Sequence, residues 1–285
     1  AYIDSMLADI KYDGIIYVTH NGNIVYQNAE VTLNFDELHM SRETDDLKKF
    51  PEVDLFVKIE DYPKLPQLLS DLFGHTFTHS YGKNRKLANS SYTAYLRISD
   101  GCDNRCAYCA IPLIRGNCRS VPIQDNVAEA KHLLQLGVKE LNVVAQDTTY
   151  YGHDLYGEFC LKDLIRELDQ LEFDWIRILY MYPDEIEEDL LIEMKKCHRV
   201  LPYFDIPIQY GNDRLLKLMN RRGTVSLIRK KIALIRTYFP DAIIRTTLIV
   251  GFPQENEESF EETLNLVKEI RFDSLGAFTF SPEED

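Results

Sequence analysis

Cys102, Cys106 and Cys109 form a C-x3-C-x2-C run within residues 95–119, YLRISDGCDNRCAYCAIPLIRGNCR. Three thiolates this close in the chain can converge on one soft metal centre when the loop folds back on itself. A cubane cluster has four irons, so a three-cysteine loop leaves one iron open to a small ligand. Structural zinc would want a fourth ligand, and Cys118 stands nine residues after Cys109. Zinc ribbons, however, bring two C-x2-C pairs from separate hairpins, and no second pair exists in this chain. Six scattered cysteines without a charged-then-apolar leader suggest a reducing compartment rather than a disulfide framework. A cluster of inert core thiols is the third reading, but Asp100, Gly101, Asp103, Asn104 and Arg105 make this a polar loop. The spacing favours an iron–sulfur cluster and keeps zinc as the alternative.

The elements that must hold this loop alternate with unusual regularity. Strand-like runs occupy residues 94–99, 140–146, 175–180, 204–209, 242–250 and 274–280. Helix-like runs between them occupy residues 123–136, 161–171, 185–197, 213–220, 226–239 and 257–270. Gly137 suits the left-handed position after the first of these helices, and Ser226 suits the cap of the fifth. Six βα repeats with short connections require a parallel sheet, because each helix must cross back to start the next strand on the same side. A Rossmann-like open sheet fits the same alternation, but its G-x-G-x-x-G is missing and the first loop carries cysteines instead. Polar residues gather at the strand ends: the cysteine loop, Gln146-Asp147-Thr148-Thr149, Gln209 and Gly251-Phe252-Pro253.

Ahead of this region, residues 1–80 read as a small α/β piece and residues 81–91, inside a polar stretch from Gly74 to Ser91, as a linker to residues 92–285. Residues 1–10 have helical spacing, 14–19 and 53–57 are strand-like, and 64–73 form a short amphipathic helix. Asn21-Gly22-Asn23 marks a hairpin turn inside the hard-to-read stretch His20–Met40. His20, His39, His75 and His79 are too scattered for a metal site. The 45% hydrophobic content is ordinary for a globular chain, and no apolar run approaches a membrane span, so a cytoplasmic protein is expected. A net charge of −14 argues against nucleic acid as the main partner and is enough by itself to keep the surface soluble. Both ends, Ala1 and Pro282-Glu283-Glu284-Asp285, read as cut.

The cysteine run with Tyr108 just before its last member resembles the signature of the radical S-adenosylmethionine (radical SAM) enzymes, and YLRISDGCDNRCAYCAIPLIRG resembles their methylthiotransferase branch. Asp147-Thr148-Thr149-Tyr150-Tyr151-Gly152 followed by Asp154-Leu155-Tyr156-Gly157 is similar to the DTT-x-YG-x-DLYG string of RimO-type members. Residues 175–183, WIRILYMYP, and 205–209, DIPIQ, also look RimO-like. The likeness runs from about Tyr92 to Asp285. It implies a partial (β/α)6 TIM-like barrel of the radical SAM type, with its chemistry at the C-terminal strand ends. It further implies a [4Fe-4S] cluster on Cys102, Cys106 and Cys109, S-adenosylmethionine on the open iron, and Tyr108 near the adenine. Gln146 and Gln209 become ribose or carboxylate contacts, although glutamines at strand ends can equally satisfy backbone groups. Arg221-Arg222 could offer charge to a carboxylate, with an exposed helix end as the simpler reading.

The implied reaction adds a methylthio group to the β-carbon of an aspartate of a small-subunit ribosomal protein at the decoding centre. It needs an electron donor such as flavodoxin or ferredoxin, and nucleic acid is not the expected direct substrate. The alternatives are a tRNA methylthiotransferase acting on adenosine, which carries a different string at residues 147–152, and a zinc-binding interaction module. The family also holds a second [4Fe-4S] cluster on three N-terminal cysteines, yet no cysteine precedes Cys102 and His20-Asn21 stands where the family has Gly-Cys. Tyr210 replaces a usual histidine, the family's C-terminal RNA-binding-like domain has no counterpart, and Cys118, Cys160 and Cys197 fall outside cluster positions and read as structural.

Overall fold

The computed structural model describes residues 64–74, 76 and 92–282, together with two short strands at 17–18 and 24–25. Expectations for residues 1–10, 53–57, 81–91 and the four histidines at 20, 39, 75 and 79 lie outside the described residues. The chain divides into two compact units, Ala1–Asn89 with Glu283–Asp285, and Ser90–Pro282.

In the first unit, β1 (Tyr17–Val18) pairs antiparallel with β2 (Ile24–Val25), as the Asn21-Gly22-Asn23 turn signal requires. The helix Leu65–Phe73 buries Leu65 and Leu69 four residues apart on one face. It stops at Gly74, whose φ of 65° lets its N–H return to Ser70 O at 2.9 Å.

The second unit is a partial barrel of six parallel strands. β3 (Thr93–Arg97), β6 (Glu140–Val144) and β7 (Trp175–Ile178) pair in that order, as do β8 (Tyr203–Asp205), β9 (Ile243–Val250) and β10 (Ser274–Thr279). The two triplets join beyond β7, where Met181 N–H donates to Asp205 O at 2.8 Å and Tyr180 N–H to Asp205 Oδ2 at 3.1 Å. One face of the strands is fully buried: Leu96, Leu141, Val143, Ile176, Ile178, Phe204 and Ile244. Each such side chain contributes roughly 1.5–3 kcal/mol on burial. The opposite parity carries Arg97, Asn142, Arg177, Asp205 and Arg245, held by pairs such as Arg177–Glu140 at 2.9 Å and Arg245–Asp205 at 2.6 Å.

The crossing helices cover the apolar face. Leu161–Asp169 buries Leu161, Leu164, Ile165 and Leu168, the one-face spacing of an amphipathic helix. Glu257–Ile270 has the expected bounds because Asn256 and Ser259 form a reciprocal capping box at its start. Gly137 is left-handed at φ 94°, again as expected. The cap of Val225–Tyr238 is a correction: Thr224, not Ser226, accepts the Leu227 N–H at 3.2 Å. Among the described residues no helix is long and apolar enough to cross a membrane.

Three strand-like runs end early, β6 at Val144, β7 at Ile178 and β8 at Asp205, because the following residues leave the sheet to build the site. Tyr180 and Gln209 turn into left-handed backbone at φ 57° and 68°, which costs a non-glycine residue on the order of 1 kcal/mol and ends regular pairing. Sequence periodicity also misses the helices Ile111–Arg115 and His153–Tyr156 and the antiparallel pair β4 (Ser99–Asp100) with β5 (Arg119–Ser120). That last pair closes the base of the cysteine loop.

Candidate functional site

The cysteine loop springs from β4 through Gly101, at φ 74°. A Cβ there would collide with the carbonyls of Gly116 and Asn117, so only glycine lets the two limbs approach. The limbs are laced by Cys102 N–H to Gly116 O at 3.1 Å, Cys118 N–H to Asp103 Oδ1 at 3.3 Å and Arg105 Nη2 to Asn117 Oδ1 at 3.1 Å. Asp100 anchors the base, accepting from Arg115 Nη1 at 2.9 Å and from the Gly101 N–H at 3.1 Å.

Within the loop Cys109 N–H donates to Cys106 O at 3.0 Å, a tight turn that keeps the last two cysteines together. Cys102 and Cys106 are buried, Cys109 is exposed, and all three are free thiols. Burial pushes the Cys102 thiol above its ordinary range, with the charges of Asp147 and Cys106 adding to it. Burial does the same for Cys109, again with Cys106 beside it. Among the described residues no three His, Cys, Asp or Glu side chains share a point where one ion would bind. A multi-iron cluster spreads its thiolates over separate irons, whereas a single zinc gathers them on one point.

Two neighbouring segments fix the loop from outside. From the β6 end, Asp147 Oδ2 accepts from Asn104 Nδ2 at 2.8 Å. Its Oδ1 accepts from Thr149 Oγ1 at 2.6 Å and Tyr150 N–H at 3.2 Å. Thr148 Oγ1 donates to Leu179 O at 2.8 Å, and Thr149 Oγ1 accepts from Tyr182 N–H at 3.0 Å. The Asp147-Thr148-Thr149 string therefore stitches the loop after β6 to the cysteine loop and to the segment after β7. From the other side, Ala107 N–H donates to Met219 O at 3.0 Å and Asn220 Nδ2 to Arg105 O at 2.8 Å.

The simpler reading of Arg221-Arg222 as an exposed helix end is corrected for Arg221, which is buried, whereas Arg222 is exposed but ion-paired. Arg221 is buried, donates to Pro207 O through Nη2 at 2.6 Å, and lies 4.0 Å above the Tyr182 ring. Arg222 pairs with Glu185, with Asp184 at 3.2 Å and with Asp147 at 3.7 Å. Glu185 is pushed up to about 8 by burial and then by the Asp147 charge, against the pull of Arg222. Burial likewise holds Asp147 above the usual carboxylate range. Tyr182, Glu185 and Asn104 were missed as site residues; the only sequence signal was that each sits in or beside a string already singled out.

Tyr108, Gln146 and Gln209 share one feature. Tyr108 Oη and the Oε1 atoms of both glutamines are buried without a hydrogen-bond partner. Backbone satisfaction therefore does not account for these two oxygens. All three residues stand at the C-terminal ends of parallel strands, Tyr108 in the loop beyond β3 and β4, Gln146 after β6 and Gln209 after β8. Buried polar atoms of this kind need an explanation, and a bound polar ligand is one. Cys118 is buried with its thiol pushed up to about 11 by burial and by Asp154; Cys160 is buried against Gly152, and Cys197 is half-buried.

The Radical SAM superfamily pattern matches residues 96–267. The chain is 45% identical to the ribosomal protein uS12 methylthiotransferase RimO of Clostridioides difficile over 98% of this chain and 69% of that protein. It is 40% identical to the protein of the same name from Acetivibrio thermocellus, over 96% of this chain and 64% of that one. A third of that name, from Caldicellulosiruptor saccharolyticus, is 43% identical over 84% of this chain and 57% of its own length. The chain thus spans between about half and about two thirds of the length of these relatives. Among solved structures, the radical S-adenosylmethionine methyltransferase TsrM of Kitasatospora setae superposes with a TM-score of 0.57 at 14% identity, covering 71% of this chain and 40% of that one. The cobalamin-dependent S-adenosylmethionine radical enzyme OxsB gives 0.51 at 15% identity, covering 93% and 34%. At these identities the likeness is one of fold.

Proposed function

Because the chain belongs to the radical SAM superfamily, and within it to the family of RimO-type ribosomal protein uS12 methylthiotransferases, we propose that its barrel binds a [4Fe-4S] cluster and S-adenosylmethionine to generate a substrate radical. The cluster is held by Cys102, Cys106 and Cys109, and the protein acted on is the small-subunit ribosomal protein uS12, at the β-carbon of an aspartate. Residues 1–80 form the N-terminal domain, 81–91 the linker and 92–285 the radical SAM domain.

The observation that carries this reading is the coincidence of a three-thiol loop with unpartnered buried polar atoms on Tyr108, Gln146 and Gln209 at the same end of the strands. The donor set fits the cluster: three free thiols on one loop, pinned by Asp147 and by residues 219–220. When bound, the cluster supplies one electron to the sulfonium of S-adenosylmethionine, which gives methionine and a 5′-deoxyadenosyl radical. The protein's own part is positional. Burial raises the Cys102 and Cys109 thiols, so metal binding must release their protons and is favoured as pH rises. Gln146 and Gln209 offer acceptors for amine or ribose hydroxyl donors, and the Tyr108 hydroxyl offers a donor. An electron donor of the flavodoxin or ferredoxin type completes the scheme.

Cys118 separates this reading from a four-ligand zinc site. The Cys118→Ser variant is expected to keep the iron content and the 5′-deoxyadenosine yield of the parent chain. Loss of metal in that variant, read by elemental analysis, would point to zinc.

A further inference from the structure

Arg221 is a buried cation without a buried anion. It is 8% exposed, its Nη1 has no hydrogen-bond partner, and among the described residues no carboxylate pairs with it. Its neighbour Arg222 takes the carboxylates of Asp184 and Glu185. What Arg221 does touch is the carbonyl of Pro207 at 2.6 Å and the face of Tyr182 at 4.0 Å. A cation over a desolvated ring is only partly compensated by it. Removing an ion from water costs more than one such contact returns, even after relaxation. One ring and one carbonyl do not cover that difference, so a further negative group is needed nearby.

The geometry supplies one. Tyr182 Oη lies 3.6 Å from Cys106 Sγ, so the ring beneath Arg221 is also the ring beside that thiol. The segment carrying Arg221 clasps the same loop through Ala107 N–H to Met219 O and Asn220 Nδ2 to Arg105 O. Metal ligation turns the Cys106 thiol into a thiolate, and reduction adds a further electron to the group it holds.

We propose that Arg221 is a built-in counter-cation for the Cys106 thiolate and raises the reduction potential of the cluster by favouring its reduced state. This rests on the cluster reading given above. The step is a one-electron transfer from an external reductant such as dithionite to the cluster. No bond changes at Arg221 and no proton moves there, because a guanidinium stays charged throughout the accessible pH range. The role is one of electrostatics and positioning, distinct from contact with substrate.

The test is a redox titration, followed by electron paramagnetic resonance, of the anaerobically reconstituted chain and of Arg221→Met and Arg221→Lys. Iron and sulfide are counted first, so that a chain holding no cluster refutes the cluster reading and not this inference. Arg221→Met, similar in volume but neutral, is expected to lower the reduced-to-oxidised ratio at fixed potential by about tenfold or more, about 59 mV for one electron. Arg221→Lys keeps the charge and is expected to stay within about threefold of the parent. An unmoved potential in Arg221→Met overturns the proposal, and so does an equal shift in both variants, which would mean packing alone. If Arg221→Met holds no cluster, Arg221→Lys decides: normal loading with a near-parent potential supports the charge role, and loss of either overturns it.

Discussion

Reduced with dithionite under anaerobic conditions, the 285-residue chain is expected to convert S-adenosylmethionine into methionine and 5′-deoxyadenosine while leaving a peptide of the uS12 target loop without a methylthio group. Cofactor cleavage needs the Cys102, Cys106 and Cys109 loop and the polar atoms at the strand ends, all within Ser90–Pro282. The resemblance implies that sulfur insertion needs a second cluster on three N-terminal cysteines, and residues 1–91 contain no cysteine. The three remaining thiols stand in separate places, Cys118 beside Asp103, Cys160 against Gly152 and Cys197 at the end of the helix Glu188–Lys196, and are not expected to substitute. Mass spectrometry of the peptide and chromatography of the nucleoside read the two halves separately. A methylthio adduct formed by this chain would show that the second cluster is dispensable or is held by residues described here as structural.

Replacing Cys106 by alanine is expected to remove the iron–sulfur cluster and reduce 5′-deoxyadenosine to background. Cys106 is the middle thiol of the run, its carbonyl closes the turn to Cys109, and its sulfur sits beside Tyr182. No other thiol sits on that part of the loop, since Cys118 lies on the far limb beside Asp103. The turn itself is made by backbone atoms, and the ties of Ala107 and Arg105 to Met219 and Asn220 do not use the lost sulfur. The loop should therefore survive while its metal does not. Full iron content in Cys106→Ala would refute the three-cysteine assignment.

The barrel was legible because five of its six strands bury one face and its helices repeat a 3.6-residue apolar pattern; both are local properties. Glu257–Ile270 could be bounded to the residue because its capping box lies within four residues of sequence. The start of Val225–Tyr238 was less plain, since Thr224 and Ser226 both have capping side chains. Asp213 Oδ1 decides it by accepting the Val225 N–H at 2.7 Å, a contact with residues in the preceding turn of chain. Strand ends were overrun for a similar reason. Leu179, Tyr180 and Met181 look like more strand, but Thr148 and Asp205 take their backbone groups.

At the site, the three cysteines stood out by their spacing, and the Asp147-Thr148-Thr149 string by its resemblance to the RimO-type string. Arg221-Arg222 did not, because two arginines after a helix have the composition of a solvated end. The burial of Arg221 under Tyr182 and the ion pairs of Arg222 with Asp184 and Glu185 are decided by residues from a different strand end. The same holds for Asn104, whose link to Asp147 spans 43 residues of sequence.

Elemental analysis of the anaerobically reconstituted parent chain for iron, acid-labile sulfide and zinc bears most directly on the central claim, a cluster on Cys102, Cys106 and Cys109. About four irons and four sulfides per chain, with zinc absent, are expected for a cubane held by three thiolates. About one zinc per chain with little iron or sulfide would contradict it and assign the loop, with Cys118, to a structural metal.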